Sequence, residues 1–174
     1  IFVDWPKPDA VMVFTGEMDG YLAPCGCAGF THQKGGLIRR HSFLKQLKAE
    51  DWPVVALDAG GLIKRYGQQA QIKYRRALES VITLGYSGVG FSPRDMRMEL
   101  IGVAINLDET KNPLTSANVG LFGFDETFSR RWRQAQAGGM KFAFTTVLAD
   151  SQAAKLNENA DTTIEPAVVG LEKV

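Results

Sequence analysis

The sequence has little of what marks several common protein classes, beginning with cysteine. Its 174 residues include only two cysteines, Cys25 and Cys27, and one such pair is too few for the disulfide framework of a small secreted domain. The sequence also lacks a Cys-x-x-Cys-His motif, so no c-type haem is expected on this chain. These absences exclude a disulfide scaffold and a covalent haem protein.

Excess charge of one sign and long apolar runs are also missing. The 20 basic and 19 acidic residues give a net charge of +1, which produces no general field to attract nucleic acid or an anionic membrane. No apolar run approaches the length that a membrane-spanning helix needs. The chain opens at Ile1 without a signal peptide, so we expect either a cytoplasmic protein or the mature form of an exported one.

The residues that could perform chemistry are concentrated between Thr15 and Arg40. This segment contains two carboxylates, both cysteines, one of the two histidines and six glycines. It lies between an apolar run at 10–14 and an amphipathic pattern at 37–48. Because ligands gather outside the carboxyl ends of strands in open α/β sheets, part of any site is expected here.

Hydrophobic patterning predicts alternating strands and helices over the first 105 residues. Short apolar runs predict three buried strands, at 10–14, 54–57 and 87–91. Helical spacing and capping residues predict three helices, over 37–48, 68–84 and 93 to about 105. The alternation predicts an α/β fold with a mainly parallel sheet that has helices on both faces.

The pattern changes in the C-terminal half. The sequence predicts a strand at 114–119, a hairpin around Gly138-Gly139 and a short helix at 150–157. Beyond Asn159 it is polar and then weakly strand-like, which predicts poor order or the start of a continuation. We therefore divide the chain into an α/β domain of residues 1–160 and a tail of residues 161–174.

The loops after the three predicted strands carry a resemblance to a known family. Together with Thr115–Val119, they resemble the N-terminal metallophosphoesterase domain of the 5'-nucleotidase family, a branch of the calcineurin-like phosphoesterases. The Gly-Gly-Leu-Ile-Arg-Arg start of the first helix, Leu57–Gly60 and Leu84–Tyr86 agree with it. The resemblance covers roughly residues 9 to 150 and implies that fold, in a form whose sheet is completed by residues or chains beyond this one.

The family's catalytic motifs are altered at these loops. Its Asp-x-His-Gly motif falls on Glu17–Gly20, and the metal-bridging aspartate of its Gly-Asp motif is replaced by Gly61. In its Gly-Asn-His-Glu motif, the metal-binding asparagine and the catalytic histidine become Pro93 and Arg94. The later histidine motifs find no match in the sequence. The resemblance therefore implies a dinuclear metal site that is incomplete.

Carboxylates at the same loops could still bind a hard divalent cation such as calcium or magnesium through oxygen atoms. The candidates are Glu17, Asp19, Asp58 and Asp95. The alternative is that they are solvated loop carboxylates, with Asp58 and Asp95 serving as helix or turn caps. A divalent metal is thus one open prediction, and no cofactor is required by the sequence.

Cys25-Gly26-Cys27 has three interpretations. The thiols could form a strained disulfide that is readily reduced and redox-active. They could bind a soft metal with His32 as a third ligand. They could also be a structural pair that pins a long loop.

One group of basic residues is a candidate for anion binding, and a second is considered as a nucleic-acid contact. Lys34, Arg39 and Arg40 lie where a helix begins and free amides point outward, although a solvated helix face explains them as well. Arg130-Arg131-Trp132-Arg133 mixes cations with an aromatic ring, as a single-strand nucleic-acid binder would. With a nearly neutral chain, we interpret the second group as an exposed polar strand edge and expect no nucleic-acid partner.

The Pro-Cys-Gly-Cys motif with Gly-Gly-Leu-x-Arg-Arg after it resembles a narrower bacterial branch of the family. Members of that branch are exported and are sometimes joined to, or encoded beside, multihaem cytochromes. The resemblance implies a periplasmic or other extracytoplasmic location. It also implies protein partners, such as a multihaem cytochrome or another redox subunit.

The sequence therefore favours a degenerate metallophosphoesterase-like domain that acts as a structural or interaction subunit of an extracytoplasmic assembly, for which an electron-transfer role is implied. The alternative is a metal-dependent phosphoesterase with a rebuilt site on Glu17, Asp19 and Asp95. A third hypothesis is thiol redox chemistry at Cys25 and Cys27.

Overall fold

A parallel sheet of three strands forms the centre of the molecule. The computed structural model describes residues 2, 4–24, 29–33, 35–98, 100, 107–108, 110–156 and 160–174. Its strands follow the order β1 (Val11–Thr15), β2 (Val54–Asp58) and β3 (Tyr86–Val89). The register pairs Thr15 with Asp58 and Asp58 with Val89. The carboxyl ends of the three strands therefore meet at one edge, as the sequence predicts.

Two long helices, α1 (Leu37–Ala49) and α2 (Gln68–Thr83), connect these strands. Both pack against the sheet face that carries Ala56. Their buried side chains in this main core are Leu44, Leu47, Ala70, Tyr74, Ala77, Leu78 and Val81. Each large aliphatic side chain removed from water contributes about 1.5–3 kcal/mol, so these side chains anchor both helices to the sheet.

The C-terminal half adds shorter elements. In order they are β4 (Val119–Leu121), β5 (Arg133–Ala137), β6 (Met140–Phe144), α3 (Asp150–Ala153), β7 (Thr162–Ile164) and α4 (Ala167–Leu171). Strands β5 and β6 form the predicted antiparallel hairpin. Its turn residues, Gly138 and Gly139, have φ of +58° and +77°, a conformation that glycine adopts at little cost.

The hairpin covers the second face of the parallel sheet. Val55 and Leu57 point to this face and pack against Ala137. The partly buried side chains of Phe142 and Phe144 pack against this cluster. The α/β class and the parallel sheet are confirmed. Within the described residues, however, the hairpin covers this face and the helices α1 and α2 both lie on the other. The strand order β1-β2-β3 proceeds in one direction, and right-handed crossovers in one direction place both connecting helices on the same side.

The predicted strand at 114–119 is only partly formed. Leu114 and Thr115 make single parallel bridges to Val89 and Arg130. Regular pairing resumes in β4, which starts at the last residue of the predicted range. The chain turns in between because the Ser116 hydroxyl accepts a hydrogen bond from the amide of Val119 at 3.2 Å.

The predicted helix from Pro93 is a single 3₁₀ turn, Asp95–Arg97, in the described residues. Met98 has extended backbone angles (φ −102°, ψ 161°), which end the turn. Residues 99 and 101–105 of that prediction lie outside the described residues.

The tail adopts regular structure where the sequence predicts poor order or a continuation. Its weakly strand-like part forms β7, which pairs antiparallel with β4. Gly170 of α4 lies so close to Asn118 that an added Cβ would be 2.6 Å from the Cβ of that residue. None of the described helices is long and apolar enough to cross a membrane.

Candidate functional site

The loops that follow β1, β2 and β3 form one hydrogen-bonded unit at the carboxyl edge of the sheet. The amide of Glu17 donates to the carbonyl of Gly60 at 2.8 Å. The amide of Gly90 donates to the carbonyl of Asp58 at 2.7 Å. Because the three backbones are joined, the side chains that they carry have defined positions relative to one another.

Asp58 ends β2 with a side chain that is 0% exposed. Its Oδ2 accepts hydrogen bonds from Nη1 of Arg40 at 2.5 Å and from the Thr15 hydroxyl at 2.6 Å. Its Oδ1 accepts from the amide of Gly60 at 2.8 Å. Arg40 reaches this position from α1 and also donates to the carbonyl of Gly16 at 3.1 Å. The carboxylate is thus neutralised and hydrogen-bonded within the chain, the condition under which a buried ion pair is tolerated.

The three candidate anion ligands are not brought together in the described residues. Arg40 points inward and only 14% of its side chain is exposed. Arg39 is exposed and donates to the carbonyl of Gln33, because successive helical residues point about 100° apart. Lys34 lies outside the described residues. Anion binding by this group stays a prediction.

Gly61 stands at the position that the resemblance assigns to the bridging aspartate. Its φ is +76°, and an added Cβ would lie 3.0 Å from the Cα and 3.1 Å from the amide nitrogen of Glu17. Glu17 itself has φ +47° and an exposed side chain. The backbone of the first loop therefore occupies the space into which a side chain at residue 61 would have to begin.

Asp19 forms ion pairs with two cations from neighbouring loops. Its Oδ1 accepts a hydrogen bond from Nη1 of Arg94, and Nζ of Lys64 lies 3.3 Å from its Oδ2. The Arg94 and Lys64 side chains are 39% and 58% exposed, so each pair contributes only up to about 1 kcal/mol. Asp19 and Arg94 stand where the resemblance places two histidines of the family motifs, and here they form an ion pair.

Asp95 is fully buried and forms a capping box with Ser92. The Asp95 amide donates to the Ser92 hydroxyl at 3.2 Å, and Oδ2 of Asp95 accepts from the Ser92 amide at 3.1 Å. This reciprocal pair satisfies two free amides at the start of a helical turn. The same Oδ2 accepts from the amide of Gly61 at 2.7 Å. Asp95 thereby ties the third loop to the second.

Two buried side-chain oxygens, one from Asp95 and one from Tyr74, lack a hydrogen-bond partner in the described residues. They are Oδ1 of Asp95 and the hydroxyl oxygen of Tyr74. Burial raises the pKa of Asp95 above its usual range, although hydrogen bonds from Gly61 and Ser92 oppose the shift. Burial, followed by the charges of Asp95 and Asp58, raises the pKa of Tyr74. Burial therefore shifts the ionisation of both groups toward the neutral form.

The remaining candidate metal ligands do not form a cluster in the described residues. Within the described ranges, no group of three or more His, Cys, Asp or Glu side chains is arranged to hold a metal ion. His32 is exposed in a 3₁₀ turn, with its Nδ1 2.9 Å from the Thr31 hydroxyl. Cys25 and Cys27 lie outside the described residues, so the disulfide, metal and structural interpretations all stay predictions.

Sequence reasoning missed the partners of the loop carboxylates. Neither Arg40 with Asp58 nor Arg94 with Asp19 has a local signal, because 18 and 75 residues separate the partners. The capping box of Ser92 and Asp95 did have a local sequence signal, because a serine followed three residues later by an acidic residue is its usual signature.

Comparison with known proteins identifies relatives in structure alone. No protein-family model matches the chain, and no curated protein matches its sequence. The 5'-nucleotidase precursor from Thermus thermophilus superposes with a TM-score of 0.70 and 17% identity, over 93% of this chain and 33% of that one. The Haemophilus influenzae NAD nucleotidase gives 0.66 and 13%, over 93% and 30%.

The chain spans about a third of the length of these two proteins. At such low identities the likeness concerns the fold and carries no residue roles. The order of strands and helices, the parallel sheet and the loops at its carboxyl edge therefore give this chain the mixed α/β fold of the nucleotidase and metallophosphoesterase type.

Proposed function

We propose that the chain is a metallophosphoesterase-like module that acts as a structural or interaction subunit and not as a dinuclear phosphoesterase. The carrying observation is the ion pair between Arg40 and Asp58, in which a guanidinium lies 2.5 Å from a carboxylate that is wholly buried. A cation beside that carboxylate would meet a fixed positive charge within the same cluster.

The residues at this edge do not fit a pair of catalytic metal ions. Such a pair is held about 3.5–4 Å apart by a bridging ligand, and Gly61 offers no side chain for that purpose. Asp19 is engaged by Arg94 and Lys64, and Asp95 is buried in its capping box. Glu17 is the one candidate that is exposed and accepts no side-chain hydrogen bond within the described residues.

The interaction part of the proposal is supported by the exposed side of β1. This strand is at the edge of the parallel sheet, and its Met12 and Phe14 side chains are 41% and 70% exposed. Parallel strands are normally covered on both faces. We place a protein contact on this surface.

This placement can be tested by photo-crosslinking in the protein's own host, followed by isolation of the crosslinked protein. A photo-crosslinking amino acid in place of Phe14 should capture a protein partner. Substituted for Ile72, which is 59% exposed on α2, it should not. Equal capture at both positions contradicts a contact at β1.

The extracytoplasmic and redox parts of the proposal rest on the Pro24–Cys27 motif and its resemblance to the cytochrome-associated branch. We propose an electron-transfer assembly with a multihaem cytochrome or similar redox subunit as partner. Thiol titration of Cys25 and Cys27 across a range of redox potentials should give a midpoint within the physiological range. A pair that stays wholly oxidised or wholly reduced removes the redox role.

The second candidate function is a metal-dependent phosphoric ester hydrolase with a rebuilt site. It is favoured by the fold and by the accessible carboxylate of Glu17. Under this alternative, Glu17 and Asp19 would have to bind the metal after Asp19 releases its two cationic partners.

An assay with added metal separates the two candidate functions. The purified chain, supplied with manganese, zinc or cobalt, should hydrolyse neither nucleotides nor a generic phosphate ester. Metal-dependent turnover that is lost in Glu17→Gln or Asp19→Asn, but retained in the control Glu172→Gln at an exposed residue just after α4, would refute the non-enzymatic role. Elemental analysis of protein from the native host gives an independent measurement, since the proposal expects no stoichiometric metal.

A further inference from the structure

A concave surface at the start of the β5–β6 hairpin has an excess of positive charge. This cavity, of about 520 Å³, is lined by Arg130, Arg131, Trp132, Arg133, Lys173 and Glu126 among others. We refer to it as the cationic cavity. It shares none of its lining residues with the loop cluster of Glu17, Asp19, Asp58 and Asp95.

Two of its cations, Arg131 and Lys173, share one carboxylate partner, Glu165. Arg131 binds Glu165 through two hydrogen bonds of 2.9 and 3.2 Å, and Nζ of Lys173 lies 2.6 Å from the same carboxylate. Arg131 also donates to the Ala117 carbonyl at 2.6 Å and lies 3.4 Å from the centre of the Phe124 ring. These contacts hold Arg131 as a fixed wall of the cavity.

The other two cations lack such compensation. Among the ion pairs of the described residues, none includes Arg130 or Arg133. Arg133 donates to the carbonyl of Asn112, while its Nε is buried without a hydrogen-bond partner. Burial, and then the charge of Arg130, lowers the pKa of Arg133 to about 10. With Glu126 and Glu165 counted, positive charge still exceeds negative charge by two.

We propose that the cationic cavity binds a phosphate group, with Arg130 as its principal ligand and Trp132 beside it. An arginine fork matches the oxygens of phosphate in a bidentate geometry. A bound anion would relieve the repulsion between Arg130 and Arg133. The Trp132 side chain lines the cavity and is 40% exposed, so an organic group that carries the phosphate could contact it.

Titration with inorganic phosphate at constant ionic strength tests this site in the whole chain. We expect a saturable change in tryptophan fluorescence that comes from Trp132. The Trp132→Phe variant should lose the signal, although Trp5 and Trp52 remain. The absence of a saturable change up to about 10 mM phosphate, or a signal that persists in Trp132→Phe, overturns the proposal.

Variants at Arg130 identify the ligand. Arg130→Gln should weaken phosphate binding by about tenfold, the effect of losing one charge-assisted hydrogen-bonding partner. Arg130→Lys should restore part of the affinity. The matched control is Arg75→Gln, at an exposed arginine on α2, which should bind like the wild type. Equal affinities for Arg130→Gln and wild type contradict the assignment.

The source of the phosphate group is distinguished by a parallel titration with phenyl phosphate. Tighter binding than for inorganic phosphate indicates a phosphorylated organic molecule stacked on Trp132. Equal binding indicates free phosphate. Because the cavity and the loop cluster share no residue, the result does not depend on the outcome of the metal assay.

Discussion

Arginine has opposite roles at the two charged regions of this molecule. At the carboxyl edge of the sheet, Arg40 is buried against Asp58, and Arg94 pairs with Asp19. In the cationic cavity, Arg130 and Arg133 lie near one another without a carboxylate partner in the described residues. The first region uses arginine to complete its own charge balance, whereas the second leaves a charge imbalance at a concave surface.

This difference indicates where an external ion can bind. A charge that is satisfied within the chain offers little to a ligand, because binding would require an existing pair to be broken and a buried charge to be left alone. A charge held in an open cavity without a partner gains from any anion of suitable geometry. The carboxylates of the loop cluster are therefore the less favourable place for a ligand.

Arg40→Met should have the largest effect on stability. It removes the counter-ion of a fully buried carboxylate and leaves Asp58 with the Thr15 hydroxyl and a backbone amide. We expect a loss of about 3–5 kcal/mol in the free energy of unfolding, measured by urea denaturation. The control Arg39→Met, on the exposed face of the same helix, should change it by less than about 0.5 kcal/mol. Similar losses in both variants would show that Asp58 is not neutralised from within.

Gly61→Ala should have the next largest effect and can be compared with Gly139→Ala. The two glycines have φ of +76° and +77°, so both variants incur a backbone cost of about 1 kcal/mol. Of the two, Gly61 has a neighbour, the backbone of Glu17, within 3.1 Å of the added Cβ. We expect about 1 kcal/mol more destabilisation there. Equal unfolding free energies in the two variants would mean that the loop after β1 moves to accommodate a side chain at residue 61.

Asp95→Asn tests the buried carboxyl through its pH dependence. The pKa of Asp95 is raised by burial above the ordinary value of 3.8, so the folded state holds the proton more tightly than the unfolded state. The associated stability is complete below about pH 3.8 and is lost as the pH rises through the folded-state pKa.

The asparagine variant keeps an acceptor for the amides of Gly61 and Ser92 but does not titrate. Its stability relative to wild type should therefore improve as the pH is raised from 4 to 7 in thermal or urea unfolding. A difference that is constant over this range, or that moves in the other direction, is inconsistent with a buried acid of raised pKa.

Glu165→Gln should have the smallest effect and acts on the cationic cavity. Hydrogen bonds from Arg131, and then from Lys173, lower the pKa of Glu165, so it is ionised at neutral pH. Removal of its charge should tighten phosphate binding about two- to threefold at low salt and less at high salt. The control is Glu172→Gln, at an exposed residue just after α4. Unchanged affinity in Glu165→Gln would mean that the cavity does not sense the local charge balance.

Local patterns predicted much of the fold. The spacing of apolar residues located α1 and α2 to within one residue at each end, and short apolar runs located β1, β2 and β3. Gly138-Gly139 located the hairpin because two glycines permit the left-handed turn that it needs. The segment at 114–119 was less predictable, since hydrogen bonds from polar side chains interrupt its pairing and these depend on distant residues.

The candidate site could be predicted only in part. Its position at the carboxyl edge followed from the alternation of strands and helices. The state of its carboxylates did not, because the cations that meet Asp58 and Asp19 come from a helix and from loops elsewhere in the chain. The sequence showed the basic group at 130–133 but not its surroundings. That Arg131 and Lys173 share Glu165, and that Arg130 and Arg133 line the same cavity, depends on contacts between distant parts of the chain.

The sequence by itself determined which segments form the parallel sheet, where the two long helices α1 and α2 lie in the chain and which loops meet at the sheet edge, because these depend on periodicity and turn residues within short stretches. Only the tertiary structure decided which charges are paired. The crossing of α1 over the sheet places Arg40 against Asp58, whereas no carboxylate of the described residues forms an ion pair with Arg130. Coulomb interactions depend on distance in space and on burial, and neither quantity is written in the order of residues.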